Sequence, residues 1–348
     1  MKHIHYNMSF VAVICCVFLV FFDCASTGSN GAPGWTRSPY IKYNKQTDVA
    51  VVGTGGNRQE AEKKAFANLA AFFGQSIKID EKIIESYQEA EKNGITTSFG
   101  STYAESSITT AAGIDSLVGA EIGDVWDDGK GLIYAVAVLN KSRAAQIYPN
   151  MIKANKEMIE KLVNMPDEDK STLDGVARYK FAAVVADINI SYGNLLSSIG
   201  VPELAKGLKK GGDYRLEAEN IIKTIPVDIV VENDKSERVC GAFAKVFSDL
   251  GFIIRGNNPR YALKVKIIIS PVEIPASPHK WTRIELSANL TDIGQRRVVL
   301  LPYNFSDRTG HSTQLEAENR AYIEAERRIN EEYKNLLSGY LSRMLPKK

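Results

Sequence analysis

VAVVGTGGNRQEAEKKAFANLAAFF, residues 49–73, is the stretch on which the architecture turns. A β-branched run of Val49, Val51 and Val52 gives way to Gly53, Gly55 and Gly56, and the following residues set Ala61, Ala65, Leu69 and Phe72 or Phe73 at helical spacing. The order is strand, turn, helix. Small apolar residues on the inner face let the helix axis come close to a sheet, while Glu60, Glu62, Lys63 and Lys64 stay in water. The spacing therefore predicts a helix lying flat across strands. Far downstream the pattern returns: EAENRAYIEAERRI from Glu316 matches EAEKKAFANLAAFF from Glu60. Glu-Ala-Glu opens both helices, Ala65 and Ala321 follow one turn on, and a turn with Gly precedes each (Gly56-Asn57, Gly310-His311-Ser312). Two related units of strand and helix are expected.

The same stretch imitates a dinucleotide-binding unit, with Asp80 standing where the ribose acid would be. Three features oppose that reading. Arg58 replaces the third glycine, and Glu60 and Glu62 put negative charge in the first helical turn, where a pyrophosphate would dock. The next strand, Gln75 to Lys82, alternates polar and apolar, unlike a central parallel strand. No cofactor is expected.

At the front, Lys2 precedes an apolar run from Met8 to Phe22, broken only by Ser9. At 1.5 Å per residue that run is about 22 Å long, short of the roughly 30 Å hydrocarbon slab, so it reads as an export signal. Asp23-Cys24-Ala25-Ser26 follows and resembles the lipobox of bacterial lipoproteins, which makes Cys24 the lipidation site and the first mature residue. Phe21 and Asp23 occupy positions where such boxes carry Leu and a small residue. An uncleaved N-terminal anchor and ordinary signal-peptidase cleavage are the rival readings.

Four cysteines are present, and Cys15 and Cys16 would leave with the signal, so only Cys240 stays in the mature body beside Cys24. No disulfide framework is possible within one mature chain, and Cys240, among apolar residues in RVCGAFAKVF, reads as an inert core thiol. The formal net charge of +2 over 348 residues, without a basic block beyond Lys347-Lys348, gives no footprint for nucleic acid. Residues 25–46, rich in Gly, Ser, Pro and Asn, read as a flexible tether, with Trp35 and Tyr40 covering the edge of the next domain.

Strands are expected at Ser76–Lys82, Thr96–Thr110, Val118–Trp126 and Leu132–Leu139, the last two joined through Asp128-Gly129 as an antiparallel hairpin. The Ser/Thr-rich second run suggests a sheet with one wet face. A helix from Lys141 to about Met165 should be kinked or interrupted at Pro149, and a second runs from about Ser171 to Leu196. Beyond Asp213 come a strand at Pro226–Val231, a helix at Ser236–Leu250, four strand-like runs, and a long helix from Thr313 to Met344. Its stripe is read as Leu315, Tyr322, Ala325, Ile329, Tyr333, Leu336, Tyr340 and Met344. The fold class is α+β: two helix-on-antiparallel-sheet units, residues 47–165 and 213–348, joined by a helical connector, 166–212, behind a signal at 1–24.

With an exported leader, Cys24, the PGWTRSPY segment, the VVGTGGNRQEAEKKAFANLAAFF unit and the GLIYAVAVLN strand, the chain resembles the LPP-20 lipoprotein family, related to the flagellar proteins FlgP and FlgT. The resemblance spans roughly Trp35 to Leu139. It implies an outer-membrane-associated lipoprotein without enzymatic chemistry, often part of envelope or flagellar-associated assemblies. A body facing the periplasm, held at the membrane by its lipid, with envelope proteins or further copies of itself as partners through sheet edges or the last helix, is the expectation added to it.

Other constellations are weaker. His279 and His311 are too few and too isolated for a zinc site. Ser306, Asp307, His311 and Ser312 occupy a turn without a nucleophile elbow, so no catalytic residue is assigned. The leading expectation is a structural or interaction protein of the cell envelope. The alternative is a periplasmic module binding glycan or lipid on the wet sheet face through Thr97, Phe99, Thr102 and Tyr103.

Overall fold

The computed structural model describes residues 31–73, 117–254, 259–294 and 298–344. The expected strands at Ser76–Lys82 and Thr96–Thr110 lie outside them. Strand β1 (Asp48–Gly55) leads into helix α1 (Arg58–Phe72), and β2 (Ala120–Asp127) and β3 (Ile133–Asn140) complete a sheet of order β1-β3-β2, antiparallel throughout. The Asp-Gly hairpin forms as expected: Asp128 accepts from the Lys130 and Leu132 backbone amides, and Gly129 and Gly131 both have positive φ. Alternation along β1 and β3 sends Val49, Ala135, Ala137 and Leu139 toward α1 and sends Ala50, Val136 and Val138 to the opposite face.

The helix sits unusually low on the strand. A Cβ at Gly53 would fall inside the radius of the Ala65 backbone nitrogen, and one at Gly55 would stand 2.6 Å from the Ala61 nitrogen. Ala61, Ala65 and Leu69 are fully buried in return. Glycines on the strand and alanines on the helix therefore set one close packing distance between them.

Helix α2 (Lys141–Val163) is capped by the Asn140 side chain, which accepts from the Arg143 amide. It runs through Pro149 as one helix, so of the two expected outcomes, a kink or an interruption, the interruption is corrected. Its apolar face is buried on both sides of the proline, through Ala144, Tyr148, Met151, Ile152, Met158 and Leu162, and the Asn150 side chain donates to the Gln146 carbonyl in the turn that the ring disturbs. Packing over the whole face outweighs the roughly 3 kcal/mol that an internal proline costs.

Helix α3 (Leu173–Ser198) is buried along most of its length. Phe181 to Leu196 pack with α1 and α2, whereas Leu173 and Val176 belong to the second core. The Leu173 amide donates to the Tyr261 hydroxyl at 2.9 Å. Helix α4 (Gly211–Ile222) docks on α3 through Asp187, which accepts from the Gly211 amide and pairs with Arg215.

The second sheet comprises β4 (Pro226–Glu232), β5 (Ile253–Ile254), β6 (Tyr261–Val272), β7 (Lys280–Asp292) and β8 (Val298–His311), in the order β5-β4-β6-β7-β8. The fold is α+β. The expectation of a purely antiparallel second sheet is corrected, because β4 runs parallel to both β5 and β6. Helix α5 (Arg238–Asp249) is the reason: a helical crossover returns the chain to the end where β4 began, and the next strand must run the same way.

Helix α6 (Gln314–Arg328) continues through a π turn, Ile329–Tyr333, into α7 (Lys334–Arg343). The stripe it buries is Ala317, Ala321, Ala325, Ile329, Tyr333, Leu337 and Leu341, whereas Leu315 is 68% exposed. The expected stripe was phased for a regular helix. A spacing of four advances about 40° beyond a full turn at each step, and the π turn, with its longer hydrogen-bonded loop, takes up part of that drift. Leu336, Tyr340 and Met344 pack at the margin of the core.

Two neighbouring glycines give a direct test of the close approach. Gly53→Ala should lower the unfolding free energy by about 3 kcal/mol or more, because helix backbone cannot yield as a side chain can. Gly56→Ala, whose Cβ would meet only the Glu60 carboxylate at 3.6 Å, should change it by less than about 1 kcal/mol. Urea titrations of both variants check this, and equal destabilisation would show that packing against α1 does not set the difference.

Candidate functional site

The glycine turn that resembles a phosphate loop is filled from within the chain. Asn57 caps α1, its Oδ1 accepting from the Glu60 amide at 2.9 Å, and Glu60 Oε2 accepts from the Gly56 amide at 3.0 Å. Lys64, hydrogen-bonded to the same carboxylate, and the Gly56 amide hold Glu60 below the usual carboxylate range. A carboxylate occupies the place an incoming phosphate would take. The second Glu-Ala-Glu helix begins the same way, with Thr313 Oγ1 accepting from the Glu316 amide and Ala317, Ala321 and Ala325 buried. The two units share strand, turn and helix, but the sheets around them differ in strand order and direction.

The residues 25–46 expected as a flexible tether are corrected in their second half. Gly34–Thr36 and Pro39–Ile41 form single 3₁₀ turns, and Trp35, 6% exposed, packs with Ala50, Val136 and Val138 on the face of the first sheet that α1 leaves open. Tyr40, Tyr43, Val52, Trp126 and Tyr134 border this layer. Thus Trp35 covers a sheet face, not an edge. The described strands of this sheet are covered on both faces. The Ser/Thr-rich strand that carries Thr97, Phe99, Thr102 and Tyr103, and Cys24 itself, lie outside the described residues.

A polar latch ends the strap. Tyr43 donates to Asp124 Oδ2 at 2.5 Å, and Lys42 Nζ stands 2.6 Å from the same oxygen. Gly123 makes this possible: it falls at the β2 bulge between Ile122 and Asp124, and a Cβ there would overlap the Tyr43 hydroxyl. Burial first, and then the hydrogen bond to Asp124, push the Tyr43 hydroxyl well above the ordinary tyrosine range. Burial acts to raise Asp124 too, but the hydrogen bonds from Lys42 and Tyr43 leave it below the ordinary aspartate range. Sequence reasoning missed Tyr43, Gly123 and Asp124. The signal was the density of aromatics, Trp35, Tyr40 and Tyr43, in a segment whose other residues suit a solvated linker.

The remaining candidates disperse. Cys240 is half-buried against the second core, and its backbone amide donates to Asp234. Asp307 pairs with Arg328, not with His311, whose Nδ1 lies 3.1 Å from Ser312 Oγ. Among the described residues no three His, Cys, Asp or Glu side chains gather to hold a metal.

The second sheet carries its helices on one face. On the other, the register aligns Val230, Lys264, Asn289 and Pro302 in one row, Glu232, Lys266, Ser287 and Asn304 in the next, and Ile268, Glu285 and Ser306 in a third. Val230 and Ile268 are 47% and 42% exposed among these polar neighbours. Behind them the helices are fixed by ion pairs: Arg238 forks onto Glu326 at 2.7 and 3.0 Å, and Arg328 joins α6 to β8 through Asp307. Among the described residues no helix covers this face, which presents mixed charge.

No protein-family model matches the chain, and no curated protein matches it. Among solved structures, a secreted protein of the human pathogen Helicobacter pylori aligns over 81% of this chain and 97% of its own, at 14% identity and a TM-score of 0.39. A minor lipoprotein of Acinetobacter baumannii aligns over 35% of this chain and 97% of its own, at 11% identity and a TM-score of 0.24. At such scores neither likeness bears on function.

The latch makes stability depend on pH at both ends. A carboxylate held low stabilises the fold above its unfolded pKa of about 3.9 and loses that contribution as pH falls through the folded value. A tyrosine held high stabilises below its unfolded pKa of about 10 and loses that contribution as pH rises further. Tyr43→Phe should therefore destabilise by about 1.5–3 kcal/mol, as expected for a hydrogen bond to a charged group, between about pH 4 and 10. The gap from wild type should narrow outside that window, as thermal or urea unfolding across pH would show.

Proposed function

We propose that this chain is an exported lipoprotein, anchored through an acylated Cys24 at the outer membrane with its body in the periplasm, that acts in the envelope by recognition and performs no bond-making chemistry. The observation that carries the proposal is the sequence of features at the N-terminus. An apolar leader and a candidate lipid cysteine are followed, after residues 25–33, by a segment docked on the first sheet through Trp35 and latched by Tyr43 and Lys42. Residues 25–33 can extend over about 30 Å at most, so the first sheet would hang close to the lipid headgroups.

The non-enzymatic part of the reading is supported by the turn at Gly53–Gly56, whose amide and helix start are satisfied by Glu60 and Asn57. The placement at the outer membrane rests on the resemblance to LPP-20 proteins read from the sequence of residues 35–139, which no family model matches. Among the described residues no helix is long and apolar enough to cross a membrane, which leaves the anchoring to the N-terminal segment in this reading. Several acyl chains at one cysteine are enough, since each buried CH₂ contributes about 0.8 kcal/mol. Contacts with envelope partners or further copies fall to the open face of the second sheet, where exposed Val230 and Ile268 sit between charged rows.

Replacing Cys24 with Ala should move the protein from the detergent-extractable membrane fraction to the soluble periplasmic fraction. Mass spectrometry of the wild-type mature chain should find acyl chains on that cysteine. Retention of the variant in the membrane fraction would sink the anchor.

A further inference from the structure

Between α2, α3 and the loop that leads into α4 lies a cavity of about 320 Å³, at the low end of the range for small-molecule sites. Its walls are apolar, formed by Ile159 and Val163 of α2 and Leu208 of the loop, where Gly207 has positive φ and turns the chain over the opening. Asn189 of α3 lines it as well, although that residue is only 2% exposed. The Asn189 Oδ1 accepts from Asn155 Nδ2 at 2.8 Å. The Asn189 amide stands at the cavity wall and offers a polar contact to an occupant.

The charges around the opening favour an anionic occupant. Lys156 and Lys209 line it, both exposed and without an ion pair among the described residues, against the single carboxylate of Glu160; Tyr214 supplies a further hydroxyl. The balance is one net positive charge beside apolar walls. We propose that the cavity binds a small amphiphilic anion: a short apolar body against Ile159, Val163 and Leu208, with one carboxylate or phosphate taken by Lys156, Lys209 and the Asn189 amide. This site is separate from the open sheet face and from the glycine turn, and it does not rest on the membrane-anchoring reading.

Calorimetric titration of the full exported chain with octanoate, octyl phosphate, 1-octanol and octylamine tests the proposal. Octanoate or octyl phosphate should saturate one site, and whichever binds more tightly identifies the headgroup. 1-Octanol and octylamine should bind at least tenfold more weakly. The double substitution Lys156→Gln/Lys209→Gln, at two exposed positions, should weaken anion binding at least tenfold while leaving the melting temperature unchanged. Val163→Trp, which fills the cavity, should abolish it. The proposal is overturned by the absence of saturable binding, by octanol binding as tightly as the anions, by a preference for octylamine, or by anion binding that the double lysine variant leaves unchanged.

Discussion

The close approach of β1 to α1 is the constraint from which much of the structure follows. Gly53 and Gly55 remove the side chains that would hold α1 away, and Ala61 and Ala65 answer with the smallest side chains a helix can present. The helix then lies low on the three-stranded sheet, and α1, α2 and α3 together bury that face. The same glycines that suggest a nucleotide loop are consumed by packing, and the anion position at the helix start is held by Glu60. A turn can serve a helix or a phosphate, and here the Gly56 amide is already taken by Glu60 and the Glu60 amide by Asn57.

The opposite face of that sheet explains the strap. β3 runs through the middle with Val136 and Val138 turned away from the helices, and such side chains would face water without a cover. Trp35 supplies it at the cost of ordering a segment whose composition favours disorder. Burial of one tryptophan is worth several kcal/mol, typically about 3–5 on truncation to alanine, and the Tyr43–Asp124–Lys42 latch adds a charge-assisted bond at the far end. The result joins the segment next to Cys24 directly to the core of the first unit.

Helix α3 ties this unit to the next. Its middle and end belong to the first core, but its first turn enters the second, where the Tyr261 hydroxyl takes the Leu173 amide. At the other side of the second core, Lys180 of α3 donates to the Leu341 carbonyl near the end of α7. The two cores therefore share one rigid element, and burial depresses the Lys180 pKa as a consequence of that shared packing. The cavity beside Asn189 opens on the same helix, so any occupant would sit against the element that both units use.

The α+β class, the β1–α1 unit, the Asp-Gly hairpin and the start of most C-terminal elements are legible in the sequence, because alternation, helical spacing and turn residues are local signals. The repeated Glu-Ala-Glu start is legible too, and it marks the same cap in both places. What the residues alone left open are choices made by distant partners. The parallel pairing of β4, the continuity of α2 through Pro149 and the π turn near Tyr333 each depend on a surface supplied elsewhere in the chain. Tyr43 and Asp124 meet across 81 residues of sequence, and Asn155 and Asn189 meet between two helices. Short-range periodicity fixes which face of an element is apolar; only tertiary packing decides what covers that face and which polar groups are left without a protein partner.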